Sequence, residues 1–78
     1  MKYLVASVGG DGVPHVVITT PFATHTEAWA AVFAFDTIAR DFWVDYTKGW
    51  PEGEDRTPFS DTVVSGSILQ WTLVKAPS

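Results

Sequence analysis

The chain has 78 residues, a net charge of −4 and no cysteine, with 46% hydrophobic and 14% aromatic residues. That length suits one domain, residues 1–78, and the apolar content argues against a disordered chain. The missing thiols exclude disulfides, cysteine nucleophiles and sulfur-ligated zinc and point to a reducing, cytoplasmic setting, while the acidity argues against direct nucleic-acid binding, which needs cations on phosphates.

Residues 2–8 (Lys-Tyr-Leu-Val-Ala-Ser-Val) and 13–20 (Val-Pro-His-Val-Val-Ile-Thr-Thr) are rich in strand formers. Between them, Gly9-Gly10-Asp11-Gly12 supplies the positive φ angles of a tight turn. A β-hairpin over 2–20 is expected, with Pro14 at a strand start or sheet edge because it lacks an amide donor. The apolar start is too short for a signal peptide. The longest apolar run, Ala28 to Phe35, falls well short of the roughly 20 residues of a membrane helix. A soluble protein with no membrane partner follows.

Thr24-His25-Thr26-Glu27 matches a capping box, in which the threonine hydroxyl accepts from the residue-27 amide while Glu27 reaches back to the residue-24 amide. One helix over about 25–45 is expected behind it. Ala28, Ala31, Val32, Phe35, Ile38, Ala39 and Phe42 form its buried stripe, with Trp29 and Phe33 on the flank. The additional apolar side chains predict either deep burial of this helix or a second contact for it. Residues 49–62 contain two prolines and two glycines and read as a loop. Residues 63–74 then read as a final strand with Gly66 at a bulge or bend. The expected fold is α+β, β-β-α-β: a three-stranded antiparallel sheet with one helix on one face and the other face open.

Few groups are available for chemistry. His15 and His25 are the only side chains with an unperturbed titration near neutral pH, and no Gly-x-Ser-x-Gly elbow is present to place a serine beside either. Asp11, His15 and His25 lack zinc-ligand spacing, and Glu52, Glu54 and Asp55 lack the calcium-loop spacing. No catalytic residue, metal or cofactor is expected.

The charge is unevenly placed. Asp36, Asp41, Asp45, Glu52, Glu54, Asp55 and Asp61 stand against Arg40, Lys48 and Arg56, so residues 36–61 carry the whole excess. Asp36 and Arg40 have the spacing of an ordinary helical ion pair. Aromatic residues, favoured at interface hot spots, alternate with these acids. Asp36, Asp41, Trp43, Asp45, Tyr46, Trp50, Glu52, Glu54 and Asp55 are therefore the candidate partner-binding residues, and carboxylates there would steer a basic protein.

In element order, a hairpin leading into a helix, the first half of the chain is similar to HicB-like antitoxins. The Pro-Gly turn of that family is replaced here by Thr20-Pro21-Phe22-Ala23-Thr24. The resemblance implies an antitoxin-like module and carries no site residue across. In size and charge the chain also resembles small phage-encoded inhibitors, anti-CRISPR proteins among them. The expected function is a non-catalytic inhibitor that blocks a basic, nucleic-acid-binding protein. The alternative is a homodimer or minor assembly subunit that uses the open sheet face and the apolar helix.

Overall fold

The computed structural model describes residues 1–77. Along the chain run β1 (Lys2–Val8), β2 (Pro14–Phe22), α1 (His25–Phe35), α2 (Thr37–Thr47), β3 (Val64–Ser65) and β4 (Gln70–Ala76). The strands form one sheet in the order β2-β1-β4-β3, and every neighbouring pair is antiparallel. The α+β class stands, but the sheet has four strands instead of three, and two helices replace the expected one.

The hairpin forms where its turn residues predict. Gly12 has φ of +75°, its amide donates to Gly9 O at 3.0 Å, and Asp11 Oδ1 accepts from the Val13 amide at 3.0 Å. Pro14 opens β2 and Pro21 lies near its end. Both are tolerated because β2 is an edge strand, and both blunt that edge against foreign strands. Val5 pairs with Ile18 and Ala6 with Val16, so Val17 is the extra residue of a bulge. The first and last strands then close the fold in seven consecutive pairs, from Lys2 with Ala76 to Val8 with Gln70.

Directly opposed residues share a sheet face. Val5 with Leu73 and Ser7 with Trp71 therefore look one way, while Leu4 with Val74 and Ala6 with Thr72 look the other. The first face carries the core. Val5, Val64, Trp71 and Leu73 pack with Ala28, Trp29 and Val32 of α1 and Ala39 of α2, with Tyr3, Ile18, Phe22, Phe33 and Trp43 against the edges of this cluster.

The predicted helix 25–45 is broken at Asp36. Thr24 starts α1, accepting from the Glu27 amide at 3.1 Å, while the expected return bond from the Thr24 amide to Glu27 is not formed among the described residues. Asp36 has extended dihedrals (φ −121°, ψ 93°); its amide closes α1 on Val32 O, and its Oδ1 accepts from the Ile38 and Ala39 amides to open α2. An Asp-Thr pair inside an apolar run is an N-cap signal, because a short acidic side chain competes for backbone amides. The break redirects the stripe. Trp29, assigned to the flank, is fully buried, whereas Phe35, Ile38 and Phe42, assigned to the buried stripe, are exposed.

The predicted strand 63–74 is also broken. Gly66 N donates to Leu69 O, closing a turn between the two-residue β3 and β4. Gly66 is needed there: a Cβ would collide with Asp36 Oδ2 and lie 2.7 Å from Trp71 Nε1. The side chain that interrupts the helix thus reaches the turn that interrupts the strand. Among the described residues, no helix is long and apolar enough to cross a membrane.

Candidate functional site

Helical spacing puts Phe42 and Tyr46 on one side of α2, with Trp43 between them and the core. Thr47 is buried and donates its hydroxyl to Trp43 O at 2.9 Å. The chain then turns sharply, with Trp50 N donating to Thr47 O at 2.9 Å, and returns Trp50 to the end of the helix. The result is a three-ring cluster. The ring centres of Trp43 and Tyr46 are 5.4 Å apart, Trp43 and Trp50 5.9 Å, and Tyr46 and Trp50 6.5 Å. These separations are those of favourable aromatic pairs.

The loop after Trp50 is a chain of small turns. Gly53 has φ of +86°, Glu54 N donates to Pro51 O, and Asp55 Oδ1 accepts from the Thr57 amide at 2.9 Å. Trp43 Nε1 donates to Arg56 O, and Trp29 Nε1 donates to Phe59 O at 2.9 Å. Two indoles, one partly exposed and one buried, therefore staple the loop to the helices. Phe59 and Thr62 then bond reciprocally: the Phe59 amide donates to Thr62 Oγ1, and the Thr62 amide to Phe59 O.

Between helix end and loop lies an open groove of about 420 Å³, lined by Phe42, Trp43, Tyr46, Trp50, Phe59, Thr62 and Val63. Its lining is mainly aromatic, with Val63 and the Thr62 side chain on the loop side. The segment 51–55, with Glu52, Glu54 and Asp55, starts at Trp50 and returns at Arg56, so both its ends sit against Trp43.

The structure divides the nine sequence-predicted residues. It brings Trp43, Tyr46 and Trp50 together and leaves Glu52, Glu54 and Asp55 exposed beside them. Asp41 and Asp45 are exposed but paired within the chain, to Arg40 at 3.0 Å and Lys48 at 3.2 Å. Arg40 thus pairs with its neighbour and not with Asp36, as its spacing had suggested. Asp36 is only 6% exposed and does not belong to this surface. Its Oδ2 accepts from Trp71 Nε1 at 2.8 Å and from the Ser67 amide at 3.1 Å. The Trp71 N–H first, then the Ser67, Ala39 and Ile38 amides, hold its carboxyl below the usual aspartate range against the opposing effect of burial. The Thr57 amide does the same for Asp55.

Sequence reasoning left Phe42, Phe59, Thr62 and Val63 of the groove out of the candidate residues and missed a second apolar hollow. That hollow, about 450 Å³, is lined by Phe35, Asp36, Ser67, Ile68, Leu69 and Trp71. Ile68 at its rim is 91% exposed and Phe35 75%. The signal available was Gly66-Ser67, a turn pair inside an apolar run. The histidines lie apart: His15 is 3.6 Å from Asp11 at the hairpin end, and His25 packs edge-on against Tyr3.

Compared with known proteins, the chain matches no family model, no curated protein and no solved structure.

Proposed function

We propose that this chain is a non-catalytic binding protein that grips a basic protein partner through the aromatic groove and masks a nucleic-acid-binding surface on it. The observation that carries this reading is the three-ring cluster: two tryptophans and a tyrosine are held partly in water by the helix end and a stapled loop. A fold this small exposes such side chains at a cost in stability, so their position calls for a use. Trp and Tyr are the side chains that dominate interface energetics. Glu52, Glu54, Asp55 and Asp61 form no ion pair among the described residues and supply the charge that draws a basic surface. Inhibitor-like and antitoxin-like action are two forms of the same masking.

The test is capture from a host extract with the wild-type chain, with Trp50→Ala and with Glu52→Gln/Glu54→Gln. The expected result is a basic nucleic-acid-binding protein retained by the wild type, released by raised salt and displaced by competing DNA or RNA. A retained protein that is acidic, or one held equally by all three chains, would sink the reading.

A second reading is self-assembly, favoured by the hollow that leaves Phe35, Ile68 and Leu69 in water. Apolar area would then supply the affinity. Its check is the molar mass in solution over a range of concentrations: a dimer that Ile68→Ser dissociates supports it, and a monomer at all concentrations removes it.

A further inference from the structure

We infer that the groove at the end of α2 is a pocket for an arginine side chain of the partner, with the guanidinium stacked on the Trp50 ring and its stem against Phe59 and Val63. This deepens the proposed function and rests on it.

The choice of arginine follows from what the groove offers. Its interior presents ring faces and aliphatic side chains, and Thr62 Oγ1 already accepts from the Phe59 amide. No carboxylate lines it. A strongly hydrated ammonium would lose its water there without gaining a partner. A guanidinium is planar, more weakly hydrated and stacks on aromatic faces. Its N–H groups extend past the rings, and exposed carboxylates adjoin the lining residues along the chain. Asp61 lies in the turn between Phe59 and Thr62, and Glu52 and Glu54 follow Trp50. The chain's own cations do not take this place. Arg40 and Lys48 are engaged with Asp41 and Asp45, and Arg56 lines a separate hollow beside Trp29 and Phe33. The charge complementarity is therefore directed outward, and it singles out a basic side chain with an aliphatic stem and a flat head.

The experiment uses four capped decapeptides in which Gly alternates with Arg, Lys, citrulline or Leu. Binding is followed by the indole N–H resonances of the full chain at low salt. The expected result is binding of the Arg peptide about tenfold tighter than the Lys peptide, the scale of one cation–π contact. Shifts should be largest for the Trp43 and Trp50 indoles and absent from Trp71, which lies on the other side of the core. Trp50→Ala should reduce Arg-peptide affinity to the Lys level. Phe59→Ala, on the opposite wall and with an exposed side chain, should weaken it severalfold in a chain whose α-helical circular dichroism is unchanged. Equal binding of Arg and Lys peptides that neither variant alters overturns the arginine pocket and leaves the basic-partner reading intact. Binding of neither overturns both. Tighter binding of the citrulline or Leu peptide overturns the arginine pocket in favour of a neutral or apolar occupant.

Discussion

Asp36 and Trp71 at the junction of the two helices, and Glu54 and Trp50 at the end of α2, are the same kinds of side chain put to opposite uses. At the junction the carboxylate is buried and accepts from the indole, from a turn amide and from the first amides of α2. At the helix end the carboxylates face water and the Trp50 ring leans on two other rings at the surface. A buried charge is tolerated only when its hydrogen-bonding capacity is filled, so Asp36 has nothing left to offer a partner. The loop carboxylates have capacity to spare. Acidity alone therefore does not mark a binding residue; unfilled acceptor capacity beside exposed aromatic surface does.

The contrast is broken most severely at Trp29, which is fully buried and staples the loop through Phe59 O. Trp29→Ala should cost about 3–5 kcal/mol in chemical denaturation, enough to unfold most molecules of so small a domain. Trp50→Ala should cost about 1 kcal/mol or less, because that ring is half in water already. A comparable loss for both would show that the groove is part of the core.

Asp36→Ala should come next, at about 3 kcal/mol. It removes the cap of α2 and leaves the Trp71 N–H unpaired in the interior. Gly66→Ala should act on the same junction from the other side, by forcing the new methyl against Asp36 Oδ2. If the two changes disrupt one contact, their combined cost in a double-mutant cycle should fall short of the sum.

A pH titration sharpens the assignment of Asp36. Its carboxyl is held below the usual range in the folded chain, mainly by the Trp71 N–H, so folding favours the ionised form. The stabilisation is then complete above the unfolded value of roughly 4 and is lost as the pH falls through the lower folded value. Unfolding free energy measured for wild type and Asp36→Asn should converge as the pH drops from about 6 to 2. A difference that stays constant would assign the effect of the variant to packing and not to the charge.

The smallest expected effect on stability belongs to Glu52→Gln/Glu54→Gln, within about 0.5 kcal/mol for exposed, unpaired groups. The same double change should flatten the salt dependence of partner binding, read as the slope of affinity against ionic strength.

Local chemistry was enough for several features. Gly-Gly-Asp-Gly set the hairpin turn, Thr24 set the start of α1, and Pro14 marked the start of an edge strand, since each depends on neighbours within a few residues. Trp43, Tyr46 and Trp50 were legible as a group because helical spacing and the turn at Gly49 keep them close. Other outcomes rest on partners far along the chain. Asp36 fits either a continuous helix or a cap; Trp71 and Ser67, more than thirty residues away, supply the bonds that favour the cap. That choice carried Phe35 and Phe42 from the core to the surface and Trp29 into the core. Sequence by itself determined where the hairpin turn and the cap of α1 form. Tertiary structure decided which face of each helix is buried and which carboxylate stays free, because burial and hydrogen-bond saturation are set by residues distant in sequence.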